Sequence, residues 1–234
     1  MVYVLNGGNT ETPGNIAGFT LTEAGQLQSI AGSVHPFSTG IAPAQIQFNP
    51  TGRVLVVTLK NPTNMIDTYA VDGNGVAASP TSYQSNGVNP FGFDFAPRGQ
   101  LIVSEAGTSS VSSYAVSSQG VLTTISAAVP DGQKAACWLV VTGNGRYAYT
   151  ANAGSGTISS YTISYNGSVK LLDATAAIHI PTDLDMALSA NSYFLYVFVH
   201  GSNSIEGFSV HSDGSLELVT VTGVPTTADG LAAN

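Results

Sequence analysis

Three carboxylates in this chain stand where they could activate water: Glu105, Asp183 and Asp229. Opening an ester or lactone needs one group that takes a proton from water and another that steadies the charge growing on the carbonyl oxygen. Glu105 ends the apolar run Leu101-Ile-Val-Ser-Glu105, so partial burial is expected there. Burial favours the protonated form of a carboxyl. Asp183 and Asp229 open apolar stretches, a position where Asp also commonly accepts backbone N–H bonds. Lys60 and His200 are the groups that would steady an oxyanion, and Gln45, Phe91, Trp138 and Asn152 are the expected ligand contacts. Cys137 beside Trp138 lacks the spaced His and Asn of a thiol nucleophile, and lone cysteines commonly pack as small hydrophobes. Asp183 and Asp185 flank Leu184 and would alternate across a strand, so they do not form a one-faced acid/base pair. His35, His179 and His211 read as loop, strand or turn residues.

These residues owe their placing to a repeat. A turn glycine followed by an apolar residue recurs at Gly25, Gly75, Gly120, Gly167 and Gly214, in steps of 45 to 50 residues. An aromatic ending a strand recurs with the same steps at Phe19, Tyr69, Tyr114, Tyr161 and Phe208. Hairpin turns follow at Pro50-Thr-Gly52, Pro97-Arg-Gly99, Gly143-Asn-Gly145 and Ala190-Asn-Ser192. One unit reads as four short strands: Trp138–Thr142, Tyr147–Ala151, Thr157–Ile163 and Val169–Leu172. Asn-Gly turns supply the positive φ that tight hairpins need, and four antiparallel strands per repeat of 40–50 residues are the mark of a β-propeller. The candidate residues then fall at one end of the ring, at the starts of the innermost strands or the ends of the second ones.

The expected fold is therefore all-β, a single five-bladed propeller over 1–234, with repeats at about 35–85, 86–130, 131–177 and 178–223. Residues 1–34 supply three strands, and Val224–Asn234 reads as the missing first one, so pairing the two would complete a fifth blade and close the ring. Closure covers a sheet edge that would otherwise stay unpaired.

Composition narrows the functions. Six Lys+Arg against fourteen Asp+Glu give a net charge of −8, which repels phosphate backbones and anionic lipid, so neither nucleic acid nor a membrane is an expected partner. The expected partner is a small molecule or sugar, bound by a monomer. A single cysteine rules out an internal disulfide. Spaced His/Cys ligands, EF-hand loops, Walker glycines and dinucleotide glycines are all missing, so no cofactor is expected. Ca²⁺ held by scattered carboxylates and carbonyls in the channel is the one metal reading left open. Met1-Val-Tyr-Val-Leu5 reads as a strand and not as a signal segment, which makes the cytoplasm the default compartment and leaves secretion to a longer N-terminus.

Tyr3-Val-Leu-Asn-Gly-Gly8, Pro43-Ala-Gln-Ile-Gln-Phe48, Pro90-Phe-Gly-Phe93, Leu101-Ile-Val-Ser-Glu-Ala-Gly107, Tyr147-Ala-Tyr-Thr-Ala-Asn-Ala-Gly154 and Asp229-Gly-Leu-Ala-Ala233 together resemble the lactonase-like β-propeller family. That family includes 3-carboxymuconate cyclases and 6-phosphogluconolactonases. The resemblance covers nearly the whole chain and implies a ring whose usual seven blades are represented here by the last five. It also implies hydrolysis of a small lactone or cyclic ester in the funnel at one end. None of the family's site residues is carried over to a position here. The alternative is a propeller that keeps the fold and binds a sugar, small ligand or protein without turnover.

Overall fold

The computed structural model describes residues 1–9, 11–60, 62–178, 182 and 184–233. The N-terminal blade comprises β1 (Val2–Asn6), β2 (Asn15–Leu21), β3 (Leu27–Ser29) and β4 (His35–Pro36). Blade 1 follows with β5 (Pro43–Phe48), β6 (Val54–Leu59), β7 (Met65–Ala70) and β8 (Thr81–Gln84). Blade 2 holds β9 (Pro90–Phe95), β10 (Leu101–Glu105), β11 (Ser110–Val116) and β12 (Leu122–Pro130). Blade 3 holds β13 (Ala136–Val141), β14 (Tyr147–Asn152), β15 (Thr157–Ile163) and β16 (Val169–Ile178). Blade 4 holds β17 (Leu184–Leu188), β18 (Phe194–Val199), β19 (Ser204–Val210) and β20 (Leu216–Gly223). Blades 1 to 4 are antiparallel meanders, each strand pairing with the next in sequence. This is a five-bladed propeller of four-stranded sheets, with β5 beside β9, β9 beside β13 and β13 beside β17.

Each local choice has a visible cause. β6 reads Val-Leu-Val-Val-Thr-Leu and is buried along its whole length, because neighbouring blades cover both of its faces. The preceding hairpin is shaped by Asn49, whose Oδ1 accepts the N–H groups of Arg53 and Val54, both at 3.1 Å. The repeating glycine does two jobs. Gly120 and Gly214 have φ of 80° and 86°, which only glycine adopts freely. Each also lies hard against the preceding blade: the Gly120 carbonyl accepts from Thr68 Oγ1 (2.8 Å) and the Gly214 carbonyl from Tyr149 OH (3.0 Å). The recurrence of the glycine thus records a contact between blades as well as a turn.

The core lies between the sheets. One cluster joins Tyr3 and Ile16 to Leu55, Val57 and Tyr69 across the first junction. Others join blade 1 to blade 2, blade 2 to blade 3 and blade 3 to blade 4. The repeating aromatics Tyr69, Tyr114, Tyr161 and Phe208 all sit in these clusters, as inter-blade packing requires.

The expected strand limits shift in two places. The outer strand of blade 3 runs on to Ile178, past a change of register between Ser160 and Tyr161. In the N-terminal blade the outer strand is split, β3 pairing Phe19–Leu21 and β4 pairing Asn15 and Ile16. His35 is therefore a strand residue and not part of a linker.

Residues 224–233 follow blade 4 outside any strand, with a turn in which the Ala228 N–H donates to the Pro225 carbonyl at 2.9 Å, and, among the described residues, form no ladder with β1. They do take the place of an inner strand beside blade 4. The Leu231 N–H donates to Asp185 Oδ2 at 2.8 Å. Between blades 1 and 2 the Phe93 N–H donates in the same way to Gln45 Oε1 at 3.0 Å.

Candidate functional site: the mouth at the inner-strand starts

Side-chain parity divides the predicted site residues into two groups. Along β10, Leu101 and Val103 pack toward blade 1, while Ile102 packs toward blade 3. Glu105 shares the parity of Leu101 and Val103, so its carboxylate points between blades 1 and 2 and is fully buried. There it accepts three hydroxyls: Ser85 (2.7 Å) and Ser112 (2.9 Å) on Oε1, and Ser110 (2.9 Å) on Oε2. The segment carrying Ser85 to Val88 closes over it. Asn152, the last residue of β14, is buried in the same way and donates to Thr157 Oγ1 (3.1 Å) and Ser159 Oγ (2.7 Å). Gln45 is also occupied internally, its amide exchanging bonds with the backbone of Phe93 at 2.7 and 3.0 Å. Glu105 and Gln45 thus tie neighbouring blades together, and Asn152 braces its own sheet.

Lys60 and His200 lie one residue beyond the ends of β6 and β18, and this single step turns them toward the mouth. Lys60 Nζ sits 4.8 Å from the centre of the Phe91 ring, at the start of the next blade's inner strand. The Phe91 ring meets Trp138 edge to face, with centres 5.2 Å apart. His200 repeats the relation in blade 4: its Nε2 lies 3.7 Å from Asp229 Oδ1, in the segment that stands for the following inner strand. The imidazole is about one-third exposed, at 36%, and the Asp229 carboxylate almost wholly so, at 90%. Phe198 packs on the imidazole with ring centres 4.2 Å apart. Phe91, Trp138 and Cys137 are half-buried. Asp183 lies outside the described residues. No group of three or more His, Cys, Asp or Glu placed to hold a metal ion occurs among the described residues.

The mouth is fixed from behind by bonds that cross blade boundaries. Thr58 Oγ1 donates to the Phe91 carbonyl at 2.6 Å, and Ser104 Oγ donates to the Cys137 carbonyl. Asp94 takes N–H groups from Phe95 and Val141. The residues that could meet a ligand are thus anchored at their backbones by the preceding blade.

Sequence reasoning missed two buried carboxyls, Asp67 and Asp131, and the half-buried Asp94. All lie above the usual carboxylate range because burial outweighs their hydrogen bonds. The only signal was an aspartate inside an apolar stretch, as in Met-Ile-Asp-Thr-Tyr69 or Phe-Asp-Phe95. Their effect on stability has a definite sign. A carboxyl that holds its proton more tightly when folded stabilises fully below the unfolded value, and that contribution is lost as pH rises through the folded value. Asp131 Oδ1 accepts the Gln133 N–H, while Oδ2 is buried without a partner. Asp131→Asn should therefore raise Tm at pH 7 by roughly 2–4 °C, on the basis of about 1 kcal/mol. The gain should vanish near pH 4. Scanning calorimetry at the two pH values checks both parts.

Comparison with known proteins bears on the fold. Residues 102–185 match the model of the family described as "Lactonase, 7-bladed beta-propeller". No protein of curated function matches the chain in sequence. Among solved structures, a protein from Lactobacillus plantarum superposes with a TM-score of 0.79 at 20% identity, over 94% of this chain and 68% of its own. The Pseudomonas aeruginosa periplasmic gluconolactonase PpgL superposes with a TM-score of 0.76 at 20% identity, over 95% and 69%. Virginiamycin B lyase from Staphylococcus aureus is more distant, with a TM-score of 0.59 at 12% identity over 96% and 70%. At these identities the likeness is one of fold.

Proposed function

We propose that this lactonase-like propeller binds a small lactone at the mouth between Lys60, Phe91, Trp138, His200 and Asp229, and opens it by hydrolysis. The observation that carries the reading is the repeated geometry at blades 1 and 4. In each, the residue one step past the second strand reaches the next inner-strand start, and this sets Lys60 and the His200–Asp229 pair on one end of the ring. His200 Nε2 takes the proton from a water as its oxygen bonds to the lactone carbonyl carbon. Asp229 steadies the imidazolium that results. The Lys60 ammonium, the one full positive charge in this set, faces the oxyanion of the tetrahedral intermediate. When the ring C–O bond breaks, His200 returns the proton to the leaving alkoxide, and a hydroxy acid is released. Phe91 and Trp138 offer faces for the apolar side of a sugar ring. In this assignment Glu105 holds blades together and takes no part in the chemistry.

The test is acid release from a panel of sugar and aliphatic lactones. His200→Gln should lower kcat/KM about 100-fold or more, Asp229→Asn about tenfold, and Lys60→Met should act mainly on kcat. Turnover unchanged in His200→Gln overturns the assignment. A second reading, binding without turnover, draws on the exposure of the Asp229 carboxylate, which His200 approaches only to 3.7 Å. It predicts saturable sugar binding that is lost in Trp138→Ala, with no acid released from any lactone.

A further inference from the structure

The junction between the N-terminal blade and blade 1 contains a cavity of about 240 Å³. Phe37, Ile41, Leu59, Met65 and Tyr69 line it, together with Asp67. Asp67 stands on β7 two residues before Tyr69, as Ser112 stands before Tyr114 and Ser159 before Tyr161. In the next two junctions the residue at this place bonds to the last residue of the second strand. Ser112 meets Glu105 at 2.9 Å, and Ser159 meets Asn152 at 2.7 Å. In the first junction that last residue is Leu59, which offers nothing to bond. The acid has moved to the third strand, opposite Ser82 on β8, whose hydroxyl bonds to it, and leucine replaces its partner at the end of the second strand. Asp67 is 5% exposed, and its Oδ1 is buried without a hydrogen-bond partner.

We propose that this cavity is a binding site for a small organic ammonium ion, whose N–H groups meet the Asp67 carboxylate while its carbon skeleton lies against Phe37, Leu59, Met65 and Tyr69. Four observations select that class. A single carboxylate, even with the hydroxyls of Ser38, Thr63 and Ser82 that also line the cavity, does not supply the six or more oxygens that Ca²⁺ requires. An anion would face Asp67 without compensation. Aromatic faces attract cations, and the ring of Tyr69 borders the carboxylate. The volume suits roughly eight non-hydrogen atoms at about 30 Å³ each. Burial holds the Asp67 carboxyl above its usual range, so ligand binding and proton loss are linked there.

Three methionines are present, and of these Met65 lines the cavity. With ¹³C-labelled methionine methyl groups, piperidinium chloride and n-butylammonium chloride are titrated at constant ionic strength against sodium chloride. The Met65 methyl should shift saturably with the two amines, while Met1 and Met186 stay in place. Asp67→Ser, the choice made at Ser112 and Ser159, should weaken binding at least tenfold, and Asp67→Asn should do the same if the serine variant folds poorly. No saturable Met65 shift up to tens of millimolar overturns the proposal. Equal binding by the Asp67 variants, or equal binding of the neutral isostere cyclohexanol, also overturns it, since the cavity would then be a purely apolar one.

Discussion

Gly87→Ala should lower Tm by roughly 6–12 °C, the equivalent of about 3 kcal/mol in a domain of this size. Gly87 lies directly over the Glu105 carboxylate. A Cβ there would run into Glu105 Oε2 and come within 2.5 Å of Thr108 Oγ1. The carboxylate cannot step aside, because Ser85, Ser110 and Ser112 hold both of its oxygens. Displacing it would strand buried hydroxyls, each at a cost of about 1–3 kcal/mol. Gly223→Ala is the control: it has open space at its Cβ and should melt within about 1 °C of the parent. Coupling supplies a sharper check. In a Glu105→Asp background the carboxylate is a methylene shorter, so Gly87→Ala should cost measurably less than in the parent. Equal costs in the two backgrounds would mean that the strain is not at this contact.

Ending the chain at Gly223 should have a comparable or larger effect, a loss of about 3 kcal/mol or more, with aggregation on heating. The segment that follows makes the Leu231–Asp185 bond at 2.8 Å and the Val224–Asn203 bond at 2.8 Å. Bonds to a charged acceptor contribute roughly 1.5–3 kcal/mol, and an ordinary backbone bond about 1. Removal also leaves Asp185 Oδ2 and the Asn203 carbonyl without these donors. Asp185→Ala removes the first bond together with the Met186 N–H bond to Oδ1 (2.7 Å) and should show about half of the effect or more. If the shortened chain melts like the parent by calorimetry and stays monomeric, residues 224–233 contribute nothing to the ring.

The architecture was legible because its markers are local physics repeated: a positive-φ turn at Gly120 or Gly214, and an aromatic such as Tyr114 or Tyr161 that must enter the gap between sheets. The site was legible only to within one residue. Glu105 and Lys60 were both read as second-strand ends, yet one is the last residue of β10 and the other the first beyond β6. Because side chains alternate along a strand, that single step separates a buried brace from a group at the mouth. Asp67 shows a different limit. Its meaning depends on Leu59 replacing a polar residue across the sheet, a relation invisible until β6 and β7 are aligned.

The meander order of the sheets also has a consequence in time. Blades 1 to 4 are each built from strands contiguous in sequence, so each can form soon after it leaves the ribosome. The N-terminal blade is made first, whereas Leu231 follows roughly 10–40 s later at ordinary rates of synthesis. During that interval Asp185 Oδ2 waits for its Leu231 donor, and the mouth beside His200 remains unfinished. Asp229 reaches His200 only when this last segment docks, so the proposed chemistry cannot begin on a half-made chain.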